Sequence, residues 1–290
     1  MHLISSQAQF VILPPARSAA PRAFKNIEAS TRRYDQMLAE MQRLRGLVYL
    51  RDGAIKAGDL TADGRHKAAV DERGWHILAL DADKHVSGCL RFLEENGASR
   101  FDELFIRHAA VAQCPVWGAK FRHAVETEMA RARQKRMGFG EVGGWAIAEE
   151  RRGTMDPLRM VLATCSLFRL LGGCTGVATA TVRHGSSTIL RRIGLRPFAV
   201  DGAELPSYYD PRYGCEMEAL RFDSDFPSPK YANAIDELMS WMKLLPVICR
   251  EERVPEWFGL LRGVELPAAR PTAMPSLQPL ALPQPAWPVG

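Results

Sequence analysis

No run of apolar residues in this 290-residue chain approaches the roughly 18 that a membrane span requires. A charged-then-apolar leader is missing too: Phe10 to Leu13 is too short and Pro14-Pro15 interrupts it, so residues 1–22 read as a flexible N-terminal arm. The six cysteines, Cys89, Cys114, Cys165, Cys174, Cys215 and Cys249, are scattered without a Cys-x-x-Cys pair. Several fall inside apolar patterns, where a free thiol packs as a small hydrophobe, which points to a reduced, cytoplasmic protein without a metal. Long basic tracts and nucleic-acid reader motifs are absent as well. The net charge of +5 and pI near 9.0 therefore suit an anionic ligand or an acidic partner protein better than nucleic acid.

What is present is ordinary for a soluble globular chain, 47% hydrophobic and 24% charged. Its organising stretch runs from Glu141 to Pro197. Val142 to Ala148 is short, apolar and bounded by Gly138, Gly140 and a charged turn, as a buried strand would be. The turn Glu149-Glu150-Arg151-Arg152-Gly153-Thr154 opens a helix whose apolar residues fall at three- and four-residue steps, and Gly172-Gly173 stop it. Cys174 to Val182 reads as a second buried strand, giving a parallel βαβ unit, and Ser186 to Ile193 as a short helix. A basic, Gly-bearing turn at the mouth of a helix can set backbone N–H groups and guanidiniums around a phosphate.

Around this core, Ile27 to Leu50 carries one apolar stripe and reads as a helix. Arg51 to Arg73 reads as a long polar loop of the kind that is more often functional than a plain connector. Trp75–Leu80 and Val86–Phe92 form a hairpin, and Val116 to Arg136 an amphipathic helix with basic residues outward. Leu195–Val200 and Cys215–Phe222 read as further strands around a Pro/Tyr-rich loop, and Asn233 to Leu245 as a helix. Beyond Pro255 the chain is Pro-rich and expected to be extended or disordered.

The central unit resembles the cofactor-binding core of the GNAT acyltransferase superfamily. In that family a strand ends in a Q/R-x-x-G-x-G/A turn, followed by helix, strand and helix. Here Gly153 is present, but Glu150 takes the Q/R position and Met155 the last small one; Leu190 stands where a Tyr is usual, and His184 where a CoA-contacting Asn is usual. The front half is similar to the acyl-homoserine-lactone synthases and N-acyl amino acid synthases: Arg45-Gly46-Leu47-Val48-Tyr49, the acidic Asp71-Glu72 before Trp75-His76, Gly88-Cys89-Leu90-Arg91, and Glu141. The Ser-Arg pair of the lactone synthases is replaced by Gly143-Gly144.

The resemblance implies a mixed α/β (α+β) fold, a central twisted sheet flanked by helices. The expected division is a GNAT-like acyltransferase domain over 23–226, a C-terminal helical extension over 227–262 and a Pro-rich tail over 263–290. It implies transfer of an acyl group to a small amine, an amino acid being the expected acceptor. The donor is acyl-CoA or the phosphopantetheine of an acyl carrier protein, with no tightly bound cofactor. Two alternatives remain: an acetyl-CoA-dependent acetyltransferase, and a catalytically inactive ligand-binding or interaction protein.

Acyl transfer needs a held thioester, a base and oxyanion stabilisation. Glu141 is the first choice for the base, with Asp71 and Glu72 behind it. Arg45 and Arg91 are expected to brace the acidic loop and position substrate, together with Trp75, Tyr208 and Tyr209. Of the loop tyrosines Tyr208, Tyr209 and Tyr213, one can replace the thiol acid missing at Leu190. Trp145, Ile147, Arg151, Arg152, Gly153, Thr154 and His184 are the expected donor contacts. Cys165 and Cys174 read as core.

Overall fold

Residues 9–18, 20–95, 97–200 and 202–250 are described by a computed structural model. In chain order the elements are β1 (Gln9–Leu13), β2 (Asn26–Ala29), α1 (Thr31–Arg51), β3 (Trp75–Leu80), β4 (Val86–Glu95), α2 (Ala110–Gln113), α3 (Gly118–Lys135) and β5 (Gly138–Ile147). There follow α4 (Asp156–Leu170), β6 (Cys174–Thr181), α5 (Ser186–Ile193), β7 (Arg196–Pro197), β8 (Ala199–Val200), β9 (Ala203–Glu204), β10 (Tyr208–Asp210), β11 (Cys215–Asp223), α6 (Pro229–Met242) and β12 (Pro246–Cys249).

One mixed sheet runs β10-β11-β6-β5-β4-β3-β1-β12-β2, with β7 also on β11. The helices cover both faces. On one, α4 and α6 pack on the sheet, Phe168 of α4 meeting the rings of Phe92 on β4 at 4.6 Å and Phe222 on β11 at 4.8 Å. On the other, α1 packs its Tyr34, Met37, Leu38 and Met41 stripe over β1, β3 and β4, while Phe121, Val125 and Met129 of α3 pack beside Phe139 and Val177. Among the described residues no helix is long and apolar enough to cross a membrane.

Three expectations change at the ends of the chain. Part of the supposed N-terminal arm is β1, buried between β3 and the parallel strand β12: four apolar residues before Pro14-Pro15 are enough when both neighbours are strands. The first helix begins at Thr31 rather than Ile27, because Asn26–Ala29 pairs with β12 and Ser30 caps the helix by accepting from Arg33 N–H. Residues 227–250 are no appended helical extension either, since α6 packs on α4 and β12 completes the sheet. Residues 251–290, with the rest of the expected extension and the Pro-rich tail, lie outside the described residues.

The feature that makes room for a ligand is at the centre. β5 and β6 pair in parallel from Gly138 opposite Cys174 to Val142 opposite Ala178, and then part. Beyond that point β5 stays with β4 as far as Ile147 opposite Gly88, and β6 stays with β11 as far as Thr181 opposite Met217. The cause is a bulge: Ala146 lies opposite Cys89 and Gly143 opposite Arg91, so Gly144 and Trp145 share the single residue Leu90. Gly144 takes φ +62°, a left-handed conformation that favours glycine, and the extra residue bends β5 away from β6.

Candidate active site

Two cavities meet in that split. The larger, about 260 Å³, opens at the turn after β5 and is walled by Trp145, Ile147, Arg152, Gly153, His184 and Ile189 among others. The smaller, about 90 Å³, lies under α1 and the residue 53–70 strap and is walled by Arg45, His66, Arg91, Phe105 and Glu141 with apolar neighbours. Tyr49, Gly143, Gly144, Thr179 and Tyr213 line both cavities and form the neck between them.

Glu141 enters the small cavity from β5. Its carboxylate accepts from the backbone N–H groups of Phe105 at 2.7 Å and Ile106 at 2.5 Å, which is how the irregular segment before α2 is tied to the sheet. Burial pushes its pKa up to about 7; the two N–H groups oppose this, and nearby Glu95 adds to it. A carboxyl in that range can take and return a proton near neutrality.

Asp71 is placed differently. It is 1% exposed and accepts from Arg45 Nη1 (2.8 Å) and Nη2 (2.6 Å), Arg91 Nη1 (2.9 Å), Gln42 Nε2 (3.0 Å) and Ala68 N–H (2.9 Å). Although burial alone would raise its pKa, the Arg45 guanidinium and these other donors hold it well below the usual carboxylate range. Asp71, a second choice for the base in the sequence, is thus an anion held by donors that fasten the strap to α1 and β4. Arg45 completes the clamp, its Nε–H donating to His66 Nδ1 at 3.2 Å and Nη2 to His66 O at 2.5 Å. That contact leaves the ring proton of a neutral His66 on Nε2, and burial followed by the Arg45 charge lowers its pKa.

Glu72, one residue on, points the other way: its side chain is 59% exposed and meets Arg250 at 3.4 Å. Trp75 is core, packed against Phe24 with ring centroids 6.2 Å apart. Tyr208 tucks against the α3 cluster and Tyr209 is exposed; neither lines either of these two cavities.

At the mouth, Arg152 Nη2 donates to Asp52 Oδ2 at 2.6 Å, Arg51 Nε donates to Asp52 Oδ1 at 3.0 Å, and Arg183 Nη2 donates to Asp52 O at 2.7 Å. His184 Nε2 lies 4.0 Å from the same carboxylate. Arg151 and Thr154 do not line the cavity. Arg151 pairs with buried Asp156 at 2.8 Å at the start of α4, and the Thr154 hydroxyl donates to Arg151 O. Leu190, where the resemblance expects a Tyr, is on the buried face of α5, in the core.

Asp52, Tyr49, His66 and Thr179 escaped assignment, and Tyr213 was named only as one of three loop tyrosines. Tyr49 stood in the Arg45–Tyr49 motif and Tyr213 in the Pro/Tyr loop, so residue type offered a signal for both. Nothing periodic marks Asp52 or His66, which reach the site only because Arg152 and Arg45 bind them across the fold.

No protein-family model matches the chain, and no curated protein matches it. Among solved structures, a CoA-dependent acyl-homoserine lactone synthase, BjaI, with SAM and isopentyl-CoA, is 16% identical, with a TM-score of 0.51 over 84% of this chain and 93% of that one. The same synthase with MTA gives 16% identity and a TM-score of 0.50 over the same shares. FeeM, an N-acyl amino acid synthase from uncultured soil microbes, gives 9% identity and a TM-score of 0.46 over 75% of this chain and 92% of that chain. The chain has a GNAT-like fold.

Proposed function

We propose that this protein is an N-acyltransferase that moves an acyl group from an acyl thioester to a small amine. The observation that carries the reading is one neck joining a basic mouth to a buried carboxylate with a pKa of about 7. A pantetheine arm laid in the split can pair with backbone groups that β5 and β6 no longer give to each other. Its phosphate end then meets Arg152, Arg183 and His184, and its thioester reaches the neck. Glu141 stands on the far side as the base for the amine.

An amine that also carries a carboxylate suits a small cavity walled by both Glu141 and Arg91, which is why an amino acid is the favoured acceptor. Arg91 and Arg45 act by holding Asp71 and the strap, and so the shape of that cavity. Acyl-CoA is the simpler donor. A carrier protein would present its acidic helix to the basic outer face of α3, where Lys120, Arg131 and Arg133 lie. That all six cysteines are free thiols supports a reducing compartment for this activity.

The test is to supply purified protein with acyl-CoA and acyl-carrier donors from acetyl to long-chain, with and without amino acids and simple amines. Thiol release and N-acyl products are read by absorbance and mass spectrometry. Amine-dependent thiol release with a matching N-acyl product is expected. Release from acetyl-CoA alone among the donors would select the acetyltransferase reading, and no acylation from any donor would overturn the proposal.

A further inference from the structure

The two guanidiniums of the small cavity are used unequally. Arg45 donates from every nitrogen: Nε to His66 Nδ1, Nη1 to Asp71, and Nη2 to both Asp71 and His66 O. Arg91 gives Nη1 alone, to Asp71 Oδ1. Among the described residues its Nε and Nη2 make no hydrogen bond, although the residue is only 5% exposed and Nε is sealed from solvent. Nε–H and Nη2–H point side by side from one edge of the guanidinium plane, the edge that takes a carboxylate through two parallel hydrogen bonds. Buried donors without a partner are unfavourable, and a carboxylate laid against that edge removes the penalty.

His66 supplies a third donor from the strap. Its N–H donates to Gln42 O at 3.0 Å, and Arg45 holds both its carbonyl and its Nδ1, so the ring is kept in place. The proton on Nε2 has no acceptor among the described residues. His66 and Arg91 both line the small cavity. The neck glycine Gly144 keeps Arg91 within reach: a Cβ there would lie 3.3 Å from Arg91 Cβ and 3.8 Å from its guanidinium carbon.

Register sets the length of a molecule that joins these donors to the base. Arg91 lies opposite Gly143 and Leu93 opposite Glu141, so Arg91 and Glu141 are diagonal neighbours on one face of β4 and β5. Such neighbours stand roughly 7 Å apart, which suits an amine and a carboxylate carried on the same carbon. The cavity of about 90 Å³ is well under the roughly 150 Å³ that accepts benzene, which excludes a large side chain. We infer that the acceptor is a small α-amino acid whose carboxylate lies on the Nε/Nη2 edge of Arg91 and accepts from His66 Nε2–H, an assignment that rests on the acyl-transfer reading. His66 then determines specificity through one neutral donor carried on the strap, while Arg45 only holds the ring.

The test measures thiol release from the preferred acyl thioester by wild type, His66→Asn and His66→Gln. The acceptors are alanine and ethylamine, which is alanine without its carboxylate. Asn keeps an acceptor where Nδ1 meets Arg45 but lacks the outer donor; Gln carries an amide N–H close to the Nε2 position. Wild type is expected to prefer alanine by at least about 100-fold in kcat/KM. His66→Asn is expected to raise the alanine KM about tenfold and leave ethylamine within about twofold, and His66→Gln to stay within about threefold on both. Equal losses on alanine and ethylamine would make His66 a support for the strap alone. That result, an unchanged alanine KM in His66→Asn, or no wild-type preference for alanine would overturn the assignment while leaving acyl transfer standing. A wild type without amine-dependent thiol release from any amine would end both. Should the variants not fold, wild type carrying isotope-labelled histidine must show the His66 Nε2 resonance moving with alanine and not with ethylamine; an unmoved resonance contradicts the assignment.

Discussion

Arg91 Nη1 and Asp71 Oδ1 lie 2.9 Å apart, and through that contact the strand that walls the small cavity also holds the strap that roofs it. The same oxygen accepts from Arg45 Nη1 at 2.8 Å, so two guanidiniums depend on one buried carboxylate. Removing it leaves both cations buried and short of a partner. Asp71→Ala is expected to lose about 3–5 kcal/mol of stability in urea unfolding. Limited proteolysis should cut first between residues 53 and 70. A variant as stable and as resistant as wild type would show that the clamp does not hold the strap.

Glu141 gives a pH signature with the opposite sign to most carboxylates. Its folded pKa, about 7, lies above its unfolded value of 4.5, so the folded state binds the extra proton between those limits. Its contribution to stability is full below 4.5 and is lost as pH rises through 7. Wild type minus Glu141→Gln should therefore fall across that window by an amount on the order of 3 kcal/mol. A pH-independent difference would mean that the carboxyl is not desolvated in the fold.

Arg152 should matter to the donor more than to the fold. Its side chain is 36% exposed and its partner Asp52 sits at the rim, a setting in which an ion pair contributes little to stability. Arg152→Ala is expected to raise the donor KM about tenfold with little change in Tm. Asp52→Asn, which removes the internal anion competing for that guanidinium, is expected to lower it. Unchanged KM in both variants would place the phosphate end elsewhere.

Much of the centre was legible in the sequence because hydrophobic period and glycine stops act locally. The strand-turn-helix-strand unit, the hairpin and the α3 stripe appear within a few residues of where they were expected. β1 and β12 were not legible, since each is a short apolar run whose strand character comes from partners far along the chain. In the site, Glu141 and Asp71 look alike as sequence, two acids beside apolar residues. Their difference is tertiary: two backbone donors and desolvation for one, two guanidiniums for the other. Likewise Tyr208, Tyr209 and Tyr213 are equivalent as letters, and only the loop's path brings the third to the neck.

The most direct test of the account is the pH dependence of amine-dependent thiol release, measured in parallel on wild type and Glu141→Gln. Wild-type kcat/KM should rise through an apparent pKa near 7 to a plateau, and the variant should lose between about 100- and 10,000-fold along with that rise. A Glu141→Gln protein that keeps both the wild-type rate and the wild-type profile would contradict the assignment of this buried carboxylate as the base.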